Sequence, residues 1–123
     1  MSDQDYDRFG VNIRNIPKFQ SAIKYLSGQI EENPQNAMAY FKRGFAQAQI
    51  RNFPNAIRDL TIAIEIDSKY VEAYKLLGIC QYSTGSYEEA KNNFSAAVNL
   101  GDESAEELLS MFDERNDIDG LPF

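Results

Sequence analysis

Apolar residues along the chain recur in steps of three and four, the period of one helix face, and not in the alternation of a half-buried strand. In the stretch 53–66, Phe53, Ala56, Ile57, Leu60, Ala63, Ile64 and Ile66 form a wide apolar stripe, as a helix packed on two neighbours requires. The stretch 37–50 has the same rhythm. Between them lies IRNFPN, where Pro54 fits the first turn of the second helix because the N–H it lacks would have no partner there. The next such turn is STGSYEE. Gly85 suits a helix stop at positive φ, Ser86 suits an N-cap, and Ser86 with Glu89 three residues on reads as a capping box. The pattern predicts helix–turn–helix units.

The units repeat. Gly10, Gly44 and Gly78 stand at a constant offset of 34, and so do Tyr6, Tyr40 and Tyr74. Ala22, Ala56 and Ala90 keep the step, as do Leu26, Leu60 and Phe94, then Phe19, Phe53 and Tyr87, then Ile30, Ile64 and Val98. Three units follow: 3–36, 37–70 and 71–104. Two antiparallel helices joined by a short turn approach closely only where a side chain is missing, which assigns the glycines to one helix and the alanines to its partner. In the first unit, Tyr6, Phe9, Ile13 and Ile16 step as a helix face. After residue 104, Ala105, Leu108, Leu109, Met111 and Phe112 form one more apolar face among acids. This predicts a single helix over about 105–115 that closes the stack. Residues 116–123, with Gly120 and Pro122, are expected as a flexible acidic tail, making 3–115 a single domain.

Charge narrows the function. The chain has 123 residues and a formal net charge of −7, with 19 acids against 12 bases. Nucleic acid and anionic membrane are poor partners for that balance, since affinity for them rests on neutralising phosphates. Residues 37–70 differ, with Lys42, Arg43, Arg51, Arg58 and Lys69 against Asp59, Glu65 and Asp67. The start, MSDQDYDRFG, has no basic and apolar leader pattern, and no apolar run approaches the roughly 18 residues of a membrane span. A cytoplasmic protein is expected.

Catalytic chemistry finds little to work with. Histidine is absent and Cys80 is the single cysteine, so no intrachain disulfide forms. Cys80 reads as a packed thiol. In NDIDG, aligning Asp117, Asp119 and Gly120 to a calcium loop puts Arg115 at the first ligand position, and the chain ends before the required glutamate. Asn93 in NFS falls within a helix. No glycine-rich phosphate loop appears. No enzyme, no cofactor and no metal are expected.

A period of 34 with an aromatic, then glycine, then alanine and a large apolar residue resembles the tetratricopeptide repeat. The match is Tyr40, Gly44, Ala56, Leu60 and Ala63 in the middle unit, and Tyr74, Leu77, Gly78, Ala90, Phe94 and Ala97 in the third. The first unit offers Tyr6, Phe9, Gly10, Ala22, Leu26 and Pro34. Tyrosine replaces the usual tryptophan throughout, and Gln47 and Gln81 stand where tyrosine is usual. The resemblance implies an all-α, right-handed α-solenoid of stacked antiparallel helix pairs, whose first helices line a concave groove. It points Gln4, Asp7, Arg8 and Val11 into that groove, then Met38, Phe41, Lys42, Phe45 and Gln49, then Glu72, Lys75, Leu76, Ile79 and Tyr82.

The implied function is an adaptor or scaffold that binds a protein or peptide segment with apolar anchors and acidic groups. Met38, Phe41, Lys42, Phe45, Glu72, Lys75, Leu76, Ile79 and Tyr82 are the expected contacts. Some members of the family clamp the C-terminal carboxylate of chaperones with lysines, asparagines and an arginine. The corresponding positions here are Asp7, Val11, Lys42, Glu72 and Leu76, so that clamp is not expected. The alternative is a self-assembling structural protein, joined through the groove or the first unit. The tail, ending in Leu121, Pro122 and Phe123, would also fit such a groove in its own or a neighbouring molecule.

Overall fold

Small residues set where the helices meet. A Cβ built on Gly44 would lie 2.9 Å from Leu60 Cγ, and one on Gly78 would lie 2.5 Å from Phe94 Cε1. Ala56 and Ala90, on the facing helices, are fully buried. Each glycine thus makes room for a large apolar side chain of the next helix, Leu60 or Phe94, and the buried alanine of that helix stands one turn before it. In a computed structural model, Tyr6 and residues 12–119 are described, with side chains as far as Phe112. The described residues form six helices: α1 (Ile16–Glu32), α2 (Ala37–Gln49), α3 (Phe53–Ile66), α4 (Val71–Ser83), α5 (Tyr87–Asn99) and α6 (Ser104–Asp119). They are joined by short turns, and no strand accompanies them beyond an isolated antiparallel bridge between Tyr6 and Asn12.

The contacts divide the chain into two compact units, Met1–Ser68 and Lys69–Phe123. In the first, α1 packs on α2 and α2 on α3. Leu26, Ala39, Tyr40, Ala46, Ala56, Leu60 and Ala63 are its buried apolar residues. In the second, α4 packs on α5 and α5 on α6, around Ala73, Leu77, Cys80, Ala90, Phe94, Ala97, Ala105 and Phe112.

Helix ends follow local chemistry. Asn36 caps α2, its side chain accepting the Ala39 N–H at 3.1 Å. Pro54 sits in the first turn of α3. Gly85 ends α4 at φ 87°. Ser86 is the N-cap of α5, but its side chain makes no capping bond, so the expected capping box is not formed.

The first unit departs from its pattern. Ile13–Asn15 is a turn and α1 starts at Ile16, so Tyr6 and Ile13 do not share a helix face with Ile16. The Asn12 side chain takes the Arg14 N–H at 3.0 Å, and the Asn15 N–H bonds the Asn12 carbonyl at 3.1 Å. This is the local side-chain competition that turns a chain away from helix. Phe9 and Gly10 lie outside the described residues. α1, α3 and α5 are the second helices of the three sequence units, and α2 and α4 are first helices of the second and third.

α6 closes the second unit with Ala105, Leu108, Leu109 and Phe112, whereas Met111, expected on that face, is exposed. It continues to Asp119, beyond the expected end at 115, because no helix breaker precedes Gly120. Residues 120–123 lie outside the described residues.

Candidate functional site

Helix α2 buries Ala39, Tyr40, Gly44, Ala46 and Gln47. Its opposite stripe, at steps of four, three and four, is Met38, Lys42, Phe45 and Gln49, all exposed. Met38 is 55% exposed and Phe45 44%, with Phe41 half-buried beside them. An apolar side chain left at that exposure forgoes about half of the roughly 1.5–3 kcal/mol that full burial would return. Two within two turns of one helix are a surface that gains by being covered.

Helix α4 repeats the arrangement in its own unit. It buries Ala73, Leu77, Gly78 and Cys80, and turns Glu72, Leu76, Ile79 and Ser83 the other way. Glu72, Ile79 and Ser83 are exposed and Leu76 is half-buried. In the 34-residue register Phe45 matches Ile79, and Ile79 is 42% exposed.

Two expected contacts are engaged inside the second unit instead. The Lys75 ammonium lies 3.1 Å from Asp102 Oδ2 and donates to Ser104 Oγ at 2.6 Å. Tyr82 lies edge-on to Tyr87 and Phe112, with ring centroids at 5.1 and 5.7 Å. Both side chains thus join the start of α4 and its end to the α5–α6 region. Gln4, Asp7, Arg8 and Val11 lie outside the described residues.

Two neighbouring groups have structural uses. Cys80 is fully buried, and burial pushes its thiol up to about 11, which keeps it protonated and unreactive. The glutamines at the family's tyrosine position differ. Gln81 Oε1 accepts from Asn93 Nδ2 at 2.6 Å, while Gln47 Oε1 is buried without a hydrogen-bond partner among the described residues. Among the described residues no cluster of three or more histidine, cysteine or acidic side chains could hold a metal ion.

One surface was not foreseen. The outer face of α1 carries Ser21, Lys24, Tyr25, Gly28, Gln29 and Glu32 around an open depression of about 600 Å³. Tyr25 is 67% exposed, although Asp59 in its register is 2% exposed. The signal available was the break in register itself, an aromatic where the next units place Asp59 and Asn93.

No family model matches the chain. Among curated proteins, the small glutamine-rich tetratricopeptide repeat-containing protein 2 of Saccharomyces cerevisiae is 29% identical over 109 residues, 89% of this chain and 28% of that protein. Hsc70-interacting protein 1 of Drosophila melanogaster is 36% identical over 94 residues, 75% of this chain and 25% of that protein. The chain thus spans about a quarter of the length of these relatives. The second tetratricopeptide domain of human RPAP3, solved in complex with the HSP70 peptide SGPTIEEVD, matches at a TM-score of 0.74 and 28% identity, covering 79% of this chain and 82% of that one. With its six helices and its 34-residue register, the chain belongs to the tetratricopeptide-repeat family.

Proposed function

We propose that the chain binds a segment of a partner protein on the exposed faces of α2 and α4, as an adaptor with no chemistry of its own. The observation that carries this reading is the pair of outward stripes, in which Met38 and Phe45 on α2 and Ile79 on α4 are large apolar side chains left exposed. Each stripe sits on a helix already fixed by its buried face, so binding orders little that was free. The proposed contacts are Met38, Phe41, Lys42, Phe45, Glu72, Leu76 and Ile79. Lys75 and Tyr82 are engaged within the second unit.

The likeness to a domain complexed with an HSP70 peptide supports a peptide ligand with apolar and acidic groups. The family's carboxylate clamp does not carry over to this chain, because its positions hold Lys42, Glu72 and Leu76. No described helix is long and apolar enough to cross a membrane, and the proposed setting is the cytoplasm.

The test is capture of partners from the native lysate by the wild type beside a Phe45→Glu, Ile79→Glu double variant, both checked for helicity. Loss of the captured partner by a still-helical variant is expected. Retention by both would move recognition off these faces.

A further inference from the structure

Helix α1 leaves open a face that α3, the next second helix, buries. Register pairs Tyr25 with Asp59, Gln29 with Ala63 and Glu32 with Ile66. Asp59 and Ala63 are 2% and 0% exposed, and Ile66 is half-buried. On α1, Tyr25 and Glu32 are exposed and Gln29 is half-buried, around the depression of about 600 Å³. Gly28 is exposed in its middle, and a Cβ built there would meet nothing within 4 Å. A second backbone can come close at such a place. Beside it Tyr25 offers a large aromatic surface, its hydroxyl accepting from Gln29 Nε2 at 3.1 Å.

Charge decides what covers this face. α1 has no acid in its first turn and no base in its last; Lys18 and Lys24 occupy its first half, and Glu31 and Glu32 end it. That order runs against the helix dipole, which favours acids at the N-terminus and bases at the C-terminus. A second α1 running antiparallel corrects it. Gly28 stands midway between Lys24 and Glu32, so a two-fold axis through Gly28 sets Lys24 of each copy against Glu32 of the other. Neither side chain is engaged in a hydrogen bond or ion pair among the described residues. We infer that the open face of α1 is a homodimer contact, in which a second copy of this chain packs antiparallel, crosses at Gly28 and forms the Lys24–Glu32 pair twice. Such a contact is isologous and closes on itself. Residues 21–32 span about 18 Å of helix, and one face of that length is too little for the roughly 1,200–2,000 Å² of a stable interface. The dimer is therefore weak: dilute chain is monomeric with Gly28 open, and pairing sets in at high local concentration. The contact uses no residue of the α2 and α4 stripes. Two copies thus present each stripe twice, which raises avidity for a partner with two matching segments.

Sedimentation velocity of the whole chain, from micromolar to millimolar concentration at low salt, tests this. The wild type is expected to pass from monomer to dimer over that range. Lys24→Glu and Glu32→Lys, each confirmed as helical by circular dichroism, should each weaken the dimer about 10-fold, because either change sets like charges together at both pairs. Mixed in equal amounts, the two variants should dimerise with each other, since both pairs then join opposite charges. The double variant should recover the wild-type affinity, and high salt should reduce all these differences. A wild type that stays monomeric at every concentration overturns the inference. If removal of residues 1–11 then lets it dimerise, the face is covered by the chain's own first segment. A wild-type dimer that is indifferent to both single reversals also overturns the inference, by placing the contact on another face.

Discussion

Arg43 and Asp59 meet through two parallel hydrogen bonds, Nε to Oδ2 at 2.7 Å and Nη2 to Oδ1 at 2.8 Å. Arg43 Nη1 also donates to Ser27 Oγ at 3.1 Å, and that hydroxyl donates to the Ile23 carbonyl at 2.8 Å. One guanidinium thus ties α1, α2 and α3. Its hydrogen bond to the Asp59 carboxylate holds Arg43 above its ordinary pKa. In the 34-residue register the two positions become Leu77 and Asn93, where the ion pair is absent and Asn93 Nδ2 donates instead to Gln81 Oε1 at 2.6 Å.

Removing one partner strands the other. Arg43→Leu leaves a buried carboxylate unpaired and is expected to cost about 3–5 kcal/mol. Asp59→Asn leaves a guanidinium that still reaches water, at about 2–3 kcal/mol. The double variant places the residue types of positions 77 and 93 at 43 and 59, leaves no buried charge unpaired, and is expected to cost well under the sum of the two. Urea unfolding of the four proteins measures the coupling, and additive losses would show that the pair does not act as a unit.

Three helical glycines should respond differently to alanine. Nothing lies within 4 Å of a Cβ on Gly28, so Gly28→Ala gains the helix propensity of about 0.5–1 kcal/mol. At Gly44 the new methyl meets Leu60 Cγ at 2.9 Å and the Ala56 carbonyl at 3.3 Å, and a small net loss is expected. At Gly78 it meets the buried Phe94 ring at 2.5 and 2.7 Å, for a net loss of about 1–2 kcal/mol after propensity is counted. Thermal melts give the order. A destabilised Gly28→Ala would mean that the open face of α1 is covered in solution.

These glycines also show what the sequence makes legible. Gly44 and Gly78 recur at one offset because helix pairs of fixed geometry need a missing side chain at a fixed place, and sterics of that kind leave a periodic trace. Lys75 and Tyr82 were harder to place. Their partners Asp102, Ser104 and Phe112 come from a different part of the repeat, and periodicity does not say which exposed group folds back on which. Residues 12–15 misled for another reason. Apolar spacing there suits a helix, but the Asn12 side chain captures a backbone N–H and makes a turn. The buried registers claim one face of each helix and leave Met38 on the other, whereas for Phe45 and Ile79 the pattern fits packing between repeats as well as exposure.

The start of α6 should be acid-sensitive. Asp102 Oδ1 accepts from the Ser104 hydroxyl at 2.6 Å and from its N–H at 2.9 Å, while Lys75 lies against Oδ2. The Ser104 hydroxyl and then Lys75 hold the Asp102 carboxyl below its ordinary range. A lowered folded-state pKa means that the contribution is present above the usual aspartate range and is lost as pH falls through the depressed value. The Ser104 amide resonance, followed by NMR on acidification, should titrate below the usual aspartate range. In Asp102→Asn that titration should be absent.

Three helices end in the same turn with different residues at its left-handed position. Asn52 N–H bonds the Gln47 carbonyl at 2.8 Å, Ser86 N–H the Gln81 carbonyl at 2.8 Å, and Asp102 N–H the Ala97 carbonyl at 3.1 Å, the six-residue closure of a Schellman motif. Gly85 and Gly101 hold positive φ at 87° and 100°, whereas Arg51 holds it at 61° with a side chain. A residue with a Cβ gives up about 1–2 kcal/mol there. Arg51 recovers part of it, its guanidinium lying 5.1 Å from the Phe53 ring centroid, a contact of about 0.5–1 kcal/mol. Arg51→Gly relieves the strain, loses the ring contact and loosens the unfolded chain, so it should be neutral within about 0.5 kcal/mol. Arg51→Ala keeps the strain and loses the ring, and should cost about 0.5–1 kcal/mol. Gly85→Ala acquires strain with nothing to offset it, at about 1 kcal/mol or more. Denaturant midpoints of the three variants test this together. If Arg51→Ala proves as stable as Arg51→Gly, the turn after α2 is not strained; if it proves as stable as the wild type, the ring contact is not what holds it.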